Sequence, residues 1–234
     1  EHFDDEFFKP FEAVGATNQN GTTSFDRTNY FQNVPTTALD MALWMESDRM
    51  GHLLGVVTQE RLDEQRGVVQ NEKRQGENRP FGRVFESVLR ASFPPGHPYR
   101  WLPIGSMEDL NAATLDDVHE WFRTFYGAAN VVLVLAGDID VATAREKAQK
   151  YFGHIAPGPG LDRPGTWVAA RTESTREIMH DQVAQTRLHR FWNTAPDGSL
   201  DAELLSIVGQ ILGGGKTSRL YERLVYREQM ADTV

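Results

Sequence analysis

For metal or acid–base chemistry, the donors this chain offers are imidazoles and carboxylates. It has 7 His, 33 Asp plus Glu, and no Cys. Thiolate metal sites and disulfides are therefore excluded. The carboxylate whose position says most is Glu72. Residues 58–78, TQERLDEQRGVVQNEKRQGEN, read as one long charged helix. Thr58 suits the N-cap, and Glu60 and Asp63 fall in the first turns, where the helix dipole favours negative charge. Leu62, the stem of Gln65, and Val69 recur at helical spacing and predict an inward stripe, with Glu72 one turn beyond Val69. A carboxylate that continues an apolar stripe needs a cation, a set of donors or a metal, because burying it unpaired is costly. Pairing with an Arg, or a place at the wet end of the stripe, meets the same need.

Two further stretches carry chemistry-bearing residues. The chain opens on Glu1-His2, an acid next to an imidazole. Residues 18–31 read as turn and strand. Thr22, Ser24, Thr28 and Tyr30 alternate, and Asn20-Gly21 permits positive φ or a bulge. A polar edge strand offers free backbone groups to which an extended peptide can add. An interior strand with its Thr and Tyr packed is the competing reading.

Residues 15–31, GATNQNGTTSFDRTNYF, and residues 66–72, RGVVQNE, together resemble the insulinase/pitrilysin family of zinc peptidases. That family carries an inverted H-x-x-E-H helix and a distal Glu ligand on a later helix. Asn20 to Tyr30 matches its N-A-x-T-x-x-D-x-T-x-Y strand, with Gly21 in place of Ala. Glu1-His2 matches the last two members of the inverted motif, so the chain is expected to begin inside that motif with the first His upstream. The resemblance implies Zn2+ as cofactor, Glu1 as catalytic base, His2 and Glu72 as metal ligands, and Asn20, Gly21, Thr22 and Thr23 as the edge that holds substrate backbone. Phe3 follows His2 at once where the family has a Gly-containing loop, which leaves the local register open. Arg66 and Asn71 are read as supporting or packing residues. The resemblance continues through His97-Pro98 with Pro103-Ile104-Gly105, through Tyr126, Asn130 and Gly137-Asp138, and through residues 212–220. It implies a zinc-dependent endopeptidase acting on peptides or small proteins, inactive as this fragment, and periplasmic or secreted. The alternative is a non-catalytic subunit that clamps peptides or scaffolds a complex.

The elements that must position these residues are mixed. Phe7, Phe8 and Phe11 form an aromatic stripe on a short helix containing Pro10 and ended by Gly15. Residues 36–55 predict a helix capped by Thr36 or Thr37, with Leu39, Leu43, Met50, Leu53 and Leu54 on its apolar face. Residues 81–92 predict another. Thr114 and Asp117 resemble a capping box for a helix over 114–126, and Asp140 caps a helix reaching Phe152. Residues 131–136, VVLVLA, read as a strand covered on both faces. Residues 167–170, 176–180 and 185–192 also read as strands, and Ser199 opens a helix to Leu212 with Leu200, Leu204, Ile207, Val208 and Ile211 inward. The whole is α+β: a mixed or antiparallel sheet packed by helices. The Pro/Gly-rich residues 156–164 are the expected linker between a peptidase-type domain over 1–157 and the start of a second homologous domain over 165–234.

Other candidates are weaker. His52 lies near a helix C-terminus, and His97 lies in a rigid loop with no second ligand at useful spacing. His119-Glu120 fails H-E-x-x-H because position 123 is Arg. His180 and His189 read as sheet residues. The run Gly213-Gly214-Gly215-Lys216 follows a helix and lacks the first P-loop glycine, which is Gln210. A net charge of −9 disfavours nucleic acid and anionic membranes, and no run is apolar enough to span a bilayer. The expected partners are a peptide or protein substrate, a second homologous domain or subunit, and possible self-association.

Overall fold

A computed structural model describes residues 6–163, 165 and 167–234; Glu1 and His2 lie outside the described residues. The chain forms two compact units. The first comprises the described residues among Glu1–Ser87, Trp101–Pro164 and Asp181–Val183; the second comprises those among Val88–Arg100, Gly165–His180 and Ala184–Val234.

The first unit starts with α1 (Lys9–Ala13), where Pro10 sits in the first turn, as its fixed φ and missing N–H allow. The strands β1 (Thr17–Thr23) and β2 (Thr28–Asn33) then pair antiparallel, with a bulge between Thr17 and Asn20 where Asn18 takes φ 54°. Next come α2 (Leu39–His52), α3 (Gln59–Glu77), α4 (Val84–Ser92), which runs on into the second unit, α5 (Met107–Ala112), α6 (Leu115–Phe125) and α7 (Val141–Phe152). The aromatic stripe of α1 splits in the structure. Phe11 is fully buried against Ala42 and Met45 of α2, with Phe7 packed beside them, whereas Phe8 is exposed.

Local chemistry sets most helix starts. Thr58 Oγ1 accepts from the Arg61 N–H, and Asp140 Oδ1 from the Thr143 N–H. Thr114 and Asp117 close a full capping box. The start of α2 differs from expectation. Thr36 and Thr37 lie in a 3-10 turn over Thr36–Ala38, and no side chain caps either the turn or the helix. Pro35 directs the chain into that turn, whose backbone bonds take over the capping role.

In the second unit the main helix is α8 (Leu200–Gly213), capped by Ser199. It is followed by a short α9 (Arg219–Tyr221) capped by Ser218 and continued by a π-turn over Glu222–Arg227. The glycine run before Ser218 is thus a turn between helices.

The α+β class holds, with a correction to the sheet. Among the described residues the only ladder is β1–β2. Residues 131–136, 167–170, 176–180 and 185–192 form no strand. A strand needs a neighbour to exchange backbone bonds with, and strand-forming composition alone does not provide one. Val132 and Val134 are accordingly 86% and 74% exposed rather than covered. The apolar side of α8 is open too, with Leu200 74% exposed and Leu204, Ile207, Val208 and Ile211 all exposed. His180 and His189 are exposed residues outside any sheet.

Candidate active site

The hairpin carries the four residues expected to hold substrate. Asn20, Gly21, Thr22 and Thr23 stand opposite Phe31, Tyr30, Asn29 and Thr28. Their side chains are used inside the hairpin. Asn20 Oδ1 accepts from the Gly21 N–H at 2.8 Å, Thr22 bonds Asn29, and the Thr23 and Thr28 hydroxyls meet at 3.2 Å. All four residues are exposed, and β1 has an outer edge that no described strand covers.

Behind this edge is a brace that the sequence did not announce. A Cβ on Gly21 would lie 3.1 Å from the ring of its cross-strand neighbour Tyr30, so the absence of a side chain lets that ring lie across the strand. The Tyr30 hydroxyl meets the Tyr126 hydroxyl at 2.6 Å, and the Arg49 guanidinium sits 3.5 Å above the Tyr30 ring. Glu46 holds Arg49 in turn. Burial, and then the bond to Tyr30, push the Tyr126 pKa up, so this hydroxyl stays protonated and able to donate. Gly21 in place of Ala, opposite an aromatic residue, was the available signal.

The helix α3 presents a different stripe from the expected one. Leu62, Arg66, Val69, Gln70, Lys73 and Glu77 are wholly or partly buried, whereas Gln65 and Glu72 are exposed. At about 100° per residue, Glu72 points away from the centre of that stripe, and Lys73 takes the inward place. Lys73 is 5% exposed and paired with Glu77 at 3.0 Å and Glu86 at 3.8 Å. Long polar stems with satisfied heads pass as stripe members, and a reading that counts apolar residues misses them. Arg66 has a structural task. Its Nε donates to the Leu110 carbonyl at 2.9 Å and an Nη to the Ala113 carbonyl at 2.7 Å, closing the C-terminal end of α5. Asp63 holds the guanidinium, and that bond, followed by one from Gln59, keeps the Asp63 pKa below its usual value. Asn71 accepts from Arg74 at 2.9 Å.

Glu72 has no ion-pair partner among the described residues, so its carboxylate is available to a ligand. No hydrogen bond or ion pair joins it to residues 20–23. Among the described residues no three His, Asp or Glu stand close enough to hold a metal ion. The donor type at Glu72 suits zinc, but the other expected members, Glu1 and His2, lie outside the described residues.

His97 is buried and fully used within the second unit. Its Nδ1 accepts from the Tyr99 N–H at 3.1 Å, so its proton is on Nε2, which donates to the Trp167 carbonyl at 3.1 Å. Both ring nitrogens are committed to holding the loop, as expected for a residue outside any metal site.

The arrangement is a polar-edged hairpin braced against helices in an α+β chain. Residues 112–234 match the family model described as the Peptidase M16 inactive domain, and the chain belongs to that family. It is similar to the zinc protease PqqE of Helicobacter pylori, with 27% identity over 97% of this chain and 51% of that protein. A solved protease structure from Helicobacter pylori superposes with a TM-score of 0.75 at 25% identity, over 97% of this chain and 55% of that one. The ferredoxin protease FusC, solved in complex with Arabidopsis ferredoxin, gives a TM-score of 0.53 at 25% identity over 62% of this chain and 16% of its own. The chain spans about half the length of the PqqE relative, 51%. The resemblance to insulinase-type peptidases is thereby borne out. Among the described residues no helix is long and apolar enough to cross a membrane.

Proposed function

We propose that this chain is part of a zinc-dependent endopeptidase acting on peptides or small proteins. The observation that carries the reading is the likeness over 97% of the chain to a relative named a zinc protease. In this reading His2 and Glu72 are metal ligands, together with a His upstream of residue 1. Zinc, when bound at such a site, polarises water and the scissile carbonyl. The residues of the chain do the rest. The Glu1 carboxylate takes the proton of the attacking water, and the outer edge of β1 at Asn20–Thr23 pairs with extended substrate backbone. The Tyr30–Tyr126–Arg49 brace keeps that edge in place. FusC is described with a protein bound, which favours protein or peptide substrates here. The proposal includes a second homologous domain or subunit, joined through residues 156–164, that completes the substrate chamber. It also includes self-association and a periplasmic or secreted setting, which cell fractionation checks.

The second reading is a non-catalytic, peptide-clamping or scaffolding subunit. It is favoured by the description of the matched model, over residues 112–234, as an inactive domain. Peptide hydrolysis by the full-length protein separates the two. Cleavage that stops with a chelator and returns with zinc supports the peptidase; chelator-resistant cleavage refutes the zinc mechanism, and absence of cleavage favours the clamp.

A further inference from the structure

The ends of α2 and α7 bring two imidazoles together. His52 is the last residue of α2, and His154 follows α7 by two residues. Their Nε2 atoms are 3.3 Å apart, with ring centroids at 5.5 Å and planes 15° apart, so the rings face each other head-on through Nε2. In this arrangement one Nε2–H donates to the other Nε2. The two helices are also tied together at the other end of α2, where Lys147 of α7 holds Asp40 at 2.7 Å and Tyr151 donates to the same carboxylate at 2.7 Å. Gly51 keeps the space beside the pair open, since a Cβ there would lie 3.3 Å from Ile155 and 3.8 Å from His154 Nε2.

We infer that His52 and His154 form a binding site for a divalent transition-metal ion of the copper, nickel and zinc class, distinct in its residues from the site proposed around Glu72. Two nitrogens each about 2.0–2.1 Å from a tetrahedral ion such as Zn2+ stand about 3.3–3.4 Å apart, and cis nitrogens on a tetragonal Cu2+ about 2.8–2.9 Å apart; the Nε2 atoms stand 3.3 Å apart, so zinc fits their spacing as it is and copper draws them closer by about 0.4 Å. To receive the ion, both rings carry their proton on Nδ1, and each turns by about 35° so that its lone pair meets the metal. His154 is exposed and His52 half-buried, so His154 has room to make most of the turn. Water completes the shell. Loss of the shared Nε2–H costs the one hydrogen bond between the rings, and two nitrogen–metal bonds replace it. The last carbonyls of α7 point toward the pair's end of that helix, where the dipole favours positive charge. Imidazole donors and the ordinary affinity order place Cu2+ above Ni2+ and Zn2+.

The probe is Cu2+ alone, titrated into the chain and into His52→Ala and His154→Ala, with electron paramagnetic resonance as the readout. The expected result is one bound Cu2+ with coupling to two nitrogens. Each substitution should weaken that binding on the order of tenfold or more and remove one nitrogen coupling. Saturating Cu2+ should also raise the thermal midpoint of the wild-type chain but not of either variant, because an ion bridging α2 and α7 binds the folded state alone. His154 is exposed, so His154→Ala is expected to retain its far-UV spectrum and serves as the variant free of folding effects. Binding unchanged in His154→Ala, or a wild-type spectrum with a single nitrogen, overturns the inference.

Discussion

Arg66 gives the sharpest test of how α3 is set in the fold. Its guanidinium places two hydrogen bonds on the carbonyls of Leu110 and Ala113, at 2.9 and 2.7 Å, and is itself 18% exposed. Hydrogen bonds from a charged donor contribute about 1.5–3 kcal/mol each. Here the site is partly wet, so the carbonyls freed by Arg66→Ala regain some water and the loss falls toward the lower end. The expected cost is about 3 kcal/mol in all. Arg66→Lys keeps the charge but cannot reach two carbonyls with one ammonium, so it loses about 1.5 kcal/mol. Asp63→Asn leaves both carbonyl bonds in place and should cost less than Arg66→Ala. The assay is urea unfolding followed by far-UV circular dichroism, with the midpoint and slope both recorded. If Arg66→Ala unfolds at the wild-type midpoint, or if Asp63→Asn is the more damaging change, the assignment of Arg66 to the end of α5 is wrong.

Acid should loosen the first unit. Asp40 is held low by Lys147 and Tyr151, Asp63 by Arg66, Asp117 by Thr114 and Asp140 by Thr143, each below the ordinary 3.8. A depressed carboxylate contributes stability above its unfolded value and loses it as pH falls through its folded one, so urea midpoints should drop below about pH 4; constant midpoints down to pH 2.5 would contradict this. Thr114→Ala removes the cap and half of the box at α6 and should cost about 1 kcal/mol by the same assay, whereas a neutral result would show that the box is redundant. Limited digestion with a protease of broad specificity should cut first within residues 159–163. The preceding residues are docked, since Ala128 and Ala129 donate to the carbonyls of Ala156 and Pro157. First cuts inside α3 would contradict both the linker and the helix.

What was legible in the sequence was local. Thr58, Asp140, Ser199 and the Thr114–Asp117 pair announce helix starts because a cap needs only a side chain and a backbone N–H three residues away. The alternation of Thr22, Ser24, Thr28 and Tyr30 marked extended chain, but it read as a single strand; the structure makes two, turning at residues 24–27, with Asn20-Gly21 inside β1 and the positive φ at Asn18. The use of both His97 nitrogens agrees with its weak standing as a metal ligand. The illegible parts depend on distant partners. Residues 131–136 have strand composition, but a ladder is a relation between two segments, and no described neighbour supplies it. On α3 the count of apolar residues placed Gln65 and Glu72 on the inward face, whereas Arg66 and Lys73 occupy it because α5, Glu77 and Glu86 give their charged ends partners. The contact of Tyr30 with Tyr126 spans 96 residues and that of His52 with His154 spans 102; no local pattern encodes either.

The proposed role of Glu72 can be read directly from zinc content. In the full-length protein, Glu72→Gln keeps side-chain volume and helix propensity and lies off the buried stripe, so folding should survive, while the anionic donor is replaced by a poorer neutral one. Zinc per chain is measured by mass spectrometry of the metal beside peptide-hydrolysis rate, for wild type, Glu72→Gln and Glu1→Gln. Glu72→Gln should lose both zinc and activity, and Glu1→Gln should keep zinc and lose activity alone. Full zinc occupancy and full activity in Glu72→Gln would contradict it.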